Sequence, residues 1–153
     1  MNKQLFLFAS AALLVPALFG ATTVAAQGIQ HFAVLKGGNE VSPTGQAAAG
    51  DLDGAGTTSV IVPGAGRLCF SITVQGIGKP NAAHIHQADA GRNGPIVVPL
   101  VPIPGTGNPG TSSGCVSGIA AALLTDIRNN PGKFYVNVHT TAFPLGAVRG
   151  QLF

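Results

Sequence analysis

Arg67-Leu68-Cys69-Phe70-Ser71-Ile72-Thr73-Val74-Gln75 decides the fold class of this chain. Apolar and polar side chains alternate through it without a break, and a period of two belongs to a half-buried β-strand. Leu68, Phe70, Ile72 and Val74 are assigned to a core face, which leaves Cys69 on the opposite, solvent side. Outward from this segment, residues 31–36 and 57–62 before it and 82–87, 96–101, 133–140 and 147–153 after it read as further short strands. Asp51-Leu52-Asp53-Gly54, Gly91-Arg92-Asn93-Gly94-Pro95 and Phe143-Pro144-Leu145-Gly146 punctuate them as turns. Pro99, Pro102 and Pro104 confine 96–101 to an edge strand or an extended arm, because proline cannot donate to a ladder. Residues 120–130 form the one convincing helix, short and stopped by Pro131-Gly132. Residues 105–114 are Gly, Pro, Ser, Thr and Asn and read as a loop. With 22 glycines and 11 prolines in 153 residues, the chain is predicted to be all-β with one short helix.

The first 26 residues have the layout of a secretory signal: Lys3, an apolar run over 5–19, and the small residues Val24-Ala25-Ala26 at the cleavage position. Ser10 and Pro16 interrupt that run, which is shorter than the roughly 20 residues a spanning helix needs. A cleaved signal is therefore expected, with 27–153 as one secreted or periplasmic domain and no membrane span after cleavage. Removing Lys3 from the eight basic residues leaves seven against five acidic ones, a net charge of +2. Lys36, Arg67, Lys79, Arg92, Arg128, Lys133 and Arg149 are scattered, so the basic stripe that nucleic-acid binding requires is missing.

Cys69 and Cys115 are the only cysteines, and export to an oxidising compartment makes a disulfide the expected state. Such a bridge stabilises the fold by at most roughly 4 kcal/mol in the chain-entropy model. Two buried thiols, or a cysteine metal ligand, are the competing reading.

His84-Ile85-His86 is the segment with chemistry in it. On a strand, alternate side chains share a face, so the two imidazoles start about 6.6 Å apart at their Cα atoms and can turn toward one ion. In the 133–140 strand, Val136 and Val138 take the core face, which places Tyr135, Asn137 and His139 on the outer one. If the two strands are neighbours, His84, His86 and His139 converge, and three neutral imidazoles suit copper or zinc. The bland alternative is a polar ladder in which each ring bonds a backbone carbonyl. His31 is a weaker fourth candidate, and Asp89 could serve as an oxygen ligand or as an acceptor behind a histidine.

Two other motifs match by spelling only. Gly110-Thr111-Ser112-Ser113-Gly114 has the Gly-x-Ser-x-Gly pattern but lacks the strand before and the helix after that a nucleophile elbow requires. Gly105-Thr106-Gly107-Asn108-Pro109-Gly110 has dinucleotide-loop spacing with a proline and no helix behind it.

Three blocks together resemble the CHRD domain, the module named after chordin and found also in small secreted bacterial proteins. They are Leu35-Lys36-Gly37-Gly38-Asn39-Glu40-Val41-Ser42-Pro43; Ala83-His84-Ile85-His86 with Gly91-Arg92-Asn93-Gly94-Pro95-Ile96-Val97; and Tyr135-Val136-Asn137-Val138-His139-Thr140 with Phe143-Pro144 and Val148-Arg149-Gly150-Gln151-Leu152. Ser42 departs from the family's proline pair, and Ala147 stands where an acidic residue is frequent. The resemblance implies a Greek-key-like antiparallel β-sandwich of immunoglobulin or superoxide-dismutase type and brings no established enzymatic activity. Glu40 and Arg149 are the charged residues within these blocks read as a structural ion pair between the first and last strands.

The function expected is a non-enzymatic binding or structural module with a histidine-based copper or zinc site. Its rivals are a small metalloenzyme and an extracellular protein-interaction domain using 105–114 or the edge near Pro99. The His-x-His strand is similar to the copper-binding strand of copper-zinc superoxide dismutase. That enzyme also needs a bridging histidine and an aspartate, and four histidines are too few for a two-metal site.

Overall fold

The computed structural model describes residues 28–64, 66–101 and 110–153. The N-terminal stretch read as a secretory signal and residues 105–109 of the predicted loop lie outside these. Among the described residues, eight strands and one α-helix follow in the order β1 (Ile29–Lys36), β2 (Ala55–Gly64), β3 (Arg67–Gln75), β4 (Pro80–Gln87), β5 (Ile96–Pro99), β6 (Gly110–Ser117), α1 (Ala121–Asn129), β7 (Phe134–Thr140) and β8 (Val148–Gln151).

All strand pairs are antiparallel, and the strands run β5-β4-β7-β8-β1-β2-β3-β6 across one sheet coiled nearly into a barrel. The all-β architecture with one short helix is the one expected. The two layers of the anticipated sandwich are halves of a single sheet, joined where β1 meets β8 at Lys36 and Arg149. Phe32 and Phe153 extend that seam by exchanging both backbone hydrogen bonds.

The alternation that identified β3 places its side chains as predicted: Leu68, Phe70, Ile72 and Val74 are buried in the core. Leu35, Val60, Val62, Ile85, Val98, Phe134, Val136, Val138 and Val148 meet them from the other strands. Helix α1 adds Leu124 and Ile127. It ends where Asn130 donates back to the Asp126 carbonyl, just ahead of Pro131, which cannot continue a helix. As expected, β5 is an edge strand.

One expectation is overturned. Residues 110–114 are not loop but the start of β6, the other edge of the sheet. The inward row of β6 is Ser112, Gly114 and Val116, set opposite Ile72, Phe70 and Leu68 of β3. Small residues face large ones, so the pair fills its share of the core while β6 shows little hydrophobic alternation of its own. The Gly-x-Ser-x-Gly spelling is thus part of an extended strand, which has no sharp elbow to project a nucleophile. On the outer row Cys69 and Cys115 stand directly opposite each other and form the disulfide.

Candidate metal centre

Strands β4 and β7 are neighbours, paired so that Ala82 faces His139, His84 faces Asn137, and His86 faces Tyr135. Ala83, Ile85, Val136 and Val138 point into the core, so the polar residues share the outer face. The small side chain of Ala82 leaves His139 room to lean toward His84. His84 Nδ1 and His139 Nε2 are 3.1 Å apart, and the His84 ring centroid lies 5.0 Å from that of His139 and 5.7 Å from that of His86. One nitrogen from each of the three rings falls within 4.8 Å of the others.

Neighbouring backbone fixes two of these rings. His86 Nδ1 donates to the Gly94 carbonyl at 2.9 Å, and His139 Nδ1 donates to the Pro144 carbonyl at 3.0 Å. A carbonyl only accepts, so the neutral rings carry their protons on Nδ1 and present Nε2 lone pairs to the shared space. His86 Nε2 is buried there with no partner in hydrogen-bond geometry, although the Asn137 side chain is near enough to favour the protonated ring. The turn holding the Gly94 carbonyl approaches β4 so closely that a Cβ on Gly94 would overlap the Gln87 carbonyl. That position requires glycine. His86 also stacks on Tyr135, with ring centroids 4.7 Å apart and planes 7° from parallel.

Although these side chains point away from the core, they are partly covered. Val41 and Pro43 from the segment after β1, Asn93 and Gly94 from the turn after β4, and Leu145 from the turn after β7 gather around His86, Tyr135 and Asn137, while His84 and His139 are half-buried. A cleft of about 140 Å³ remains against His86, Asn137, Tyr135 and Leu145. Larger clefts of about 290 and 570 Å³ run past Ala90 and Gly91 and do not touch the histidines. Burial lowers all three imidazoles from their ordinary value of 6.5. For His84, burial together with the neighbouring His139 and His86 brings the pKa to about 4. The rings are neutral at pH 7, the state in which imidazole binds a metal.

The ion pair expected between Glu40 and Arg149 is corrected. Both are buried, each 2% exposed, but they do not form a contact pair. The Arg149 guanidinium donates to Asn93 Oδ1 at 2.9 Å and to the Arg92 carbonyl at 3.0 Å, and lies 4.2 Å from the centroid of Tyr135. Hydrogen bonds and a π face satisfy it without a carboxylate. The Val41 backbone and the Asn137 side chain favour the ionised Glu40 carboxyl, while its Oε1 is buried with no hydrogen-bond partner. Desolvation outweighs these interactions and the Arg149 charge, and raises the Glu40 pKa to about 7.

The two weaker candidates do not join the group. His31 sits on the core-facing row of β1 with Ala33 and Leu35. Asp89 pairs with Lys133 at 2.7 Å, the one contact ion pair among the described residues. Asn137 had been placed on the outer face with no role. It is 2% exposed, and its Oδ1 lies 3.1 Å from His139 Nε2. Its position across from His84 was legible only once strand register was known.

The family model of the CHRD domain matches residues 31–152, from the first strand to the last buried leucine. The chain belongs to the CHRD domain family. All residues of the histidine group and its cover lie within the CHRD domain. Comparison with curated proteins gives no match, and comparison with solved structures gives none.

Proposed function

We propose that this CHRD domain is an exported, non-enzymatic binding module that holds copper or zinc through His84, His86 and His139. The observation that carries the reading is the convergence of three imidazole nitrogens within 4.8 Å, two of the rings being oriented by backbone carbonyls. Metal-binding histidines are generally held this way, with the second ring nitrogen donating to an acceptor behind it. With metal–nitrogen bonds of about 2.0–2.1 Å, tetrahedral ligands sit roughly 3.3 Å from one another. The 3.1 Å between His84 and His139 is close to that spacing, and a His86 nitrogen lies within 4.8 Å of both. A polar ladder in which each ring bonds a backbone carbonyl accounts for His86 and His139 but not for His84, whose hydrogen-bond contact is the His139 ring.

The dismutase-like alternative is less well supported. It needs carboxylate and bridging-histidine ligands, whereas Asp89 is engaged by Lys133, and Glu40 meets the group through Asn137. Export is supported by the signal-like N-terminus and by the disulfide, which persists in oxidising compartments. No helix among the described residues is long and apolar enough to cross a membrane.

Elemental analysis of untagged protein, after exposure to micromolar zinc or copper and removal of free ion, tests the reading. One ion per chain is expected, and it should be lost in the His84→Ala/His86→Ala protein. A wild-type chain that retains neither metal rules the site out, and bound copper with superoxide turnover would transfer the protein to the enzymes.

A further inference from the structure

We propose that Asn137 supplies a fourth donor, its side-chain oxygen, to an ion held by the three histidines, and that buried Glu40 is the positioning residue holding the amide this way round. The inference rests on the metal-site reading above and adds the atom that completes the coordination shell.

Asn137 lies directly across the ladder from His84, diagonally from His86, and two residues along its own strand from His139. It is the residue at the centre of the group. Its Oδ1 is 3.1 Å from His139 Nε2, and the same nitrogen is 3.1 Å from His84 Nδ1. Both spacings approach the roughly 3.3 Å edge of a tetrahedron around a metal with bonds of about 2.0–2.1 Å.

The polarity of the contact is as informative as its length. His139 donates from Nδ1 to the Pro144 carbonyl, so its Nε2 carries a lone pair, and a carboxamide oxygen facing it is a second acceptor. Two lone pairs aimed into one space repel each other, and a cation between them converts the contact into coordination. In a simple polar ladder the amide would turn over and donate to His139. Glu40 opposes that turn. With Oδ1 facing His139 the amide N–H₂ is turned away from that ring, and the Asn137 side chain acts to lower the pKa of the Glu40 carboxyl, the direction expected of an N–H₂ directed at it.

Glu40 is brought here by close packing. Gly146 has φ +138°, and a Cβ on it would collide with the Glu40 carboxylate. Burying a carboxyl is unfavourable, as its raised pKa records, and orienting the central amide gives this burial a use. Three imidazoles and one amide oxygen form a shell without the open position of a catalytic zinc site, in keeping with a binding module. The hard oxygen favours Zn²⁺ or Cu²⁺ over Cu⁺.

The test uses the full chain with its disulfide intact and Zn²⁺ or Cu²⁺ alone as probe. Asn137→Ala should weaken zinc binding by about 10–100-fold, the range typical of lost metal-site partners, and Asn137→Asp should restore it. The Cu²⁺ EPR spectrum of Asn137→Ala should show shifted parallel features with its imidazole nitrogen couplings retained. Glu40→Leu should weaken zinc binding about tenfold, whereas Glu40→Gln, still an acceptor, should recover it. An Asn137→Ala protein with wild-type zinc affinity and an unchanged Cu²⁺ spectrum overturns the proposal. Folding of the variants need not decide the matter: zinc should move the Asn137 ¹³Cγ resonance of the wild-type chain downfield, and a resonance unmoved at zinc saturation also overturns it. A wild-type chain that takes up no metal fails earlier, at the three-histidine site itself.

Discussion

On the β4–β7 ladder the outward row sets Ala82, His84 and His86 against His139, Asn137 and Tyr135, whereas on the β3–β6 ladder it sets Cys69, Ser71 and Thr73 against Cys115, Ser113 and Thr111. The inward rows of both pairs face the same core, so the pleat has done equal work in each. The difference lies in what covers the outer rows. Segments bearing Val41, Pro43, Gly94 and Leu145 gather around His86 and leave His84 and His139 half-buried, while Cys115, Ser113 and Thr111 remain exposed. Cover removes water from the imidazoles, lowers their pKa and lets backbone carbonyls choose their tautomers. On the bare ladder, the two sulfur-bearing side chains bond each other and fasten β6 to β3, its one strand neighbour among the described residues. The same secondary structure therefore yields a candidate site on one side and a mechanical clasp on the other.

If the two faces have separate tasks, breaking the clasp should lower stability and spare the site. A Cys69→Ser/Cys115→Ser protein opens a closure of 46 residues in sequence separation. It should lose about 2–4 kcal/mol in urea unfolding, with zinc affinity unchanged within experimental error. A tenfold loss of zinc affinity in the folded double variant would show that the clasp also positions the histidines, and the division into two tasks would have to be given up.

How much of each face could be read from sequence follows the same line. Residues 67–75 announce themselves because every second side chain is large and apolar, and Val136 and Val138 set the phase that puts His139 outside. Strand β6 was illegible because its inward residues are small, their bulk being supplied by Phe70 and Ile72 across the ladder. Complementary packing is a property of the pair and leaves no period in either strand. The histidine group was legible in outline from His-x-His and one phase argument. Its centre was not, since Asn137 becomes the middle residue only through the register that aligns it with His84. Glu40 and Arg149 were rightly singled out as charges in apolar surroundings, but sequence could not show that Asn93, the Arg92 carbonyl and Tyr135 satisfy the arginine first.

The titrating groups with displaced pKa values all belong to the covered face, which makes pH a second way to separate the two ladders. His84 falls from 6.5 to about 4 on folding, so its contribution is fully present above 6.5 and is lost as pH falls toward 4. His86 and His139 are lowered too and act in the same direction. Glu40 rises from 4.5 to about 7, so its contribution is present below 4.5 and is lost as pH climbs through 7. The opposed signs predict partial cancellation between pH 4.5 and 6.5, with the metal-free chain losing stability as pH falls further toward 4. Urea unfolding at stepped pH in a chelating buffer measures this. Glu40→Gln removes the opposing group and should steepen the acid-side decline between pH 6.5 and 4.5. A Glu40→Gln chain with the same pH profile as wild type would show that Glu40 is already ionised in the fold across this range.

The smallest effect is expected at the rim of the cover, where Asp89 meets Lys133 at 2.7 Å with both side chains more than half exposed. An ion pair in that setting contributes little, roughly 0.2–1 kcal/mol, and salt screens it. The turn it belongs to has stronger attachments. Gln87 donates its backbone N–H to the Pro95 carbonyl, His86 bonds Gly94, and the Gln151 side chain bonds the Ala88 carbonyl at 2.7 Å. Asp89→Ala should therefore unfold within about 0.5 kcal/mol of wild type and bind zinc equally well. If it instead loosened zinc binding tenfold, and high salt did the same to the wild-type chain, the cover would be pinned at its charged rim. The backbone bonds beside the histidines would then be a consequence of closure rather than its cause.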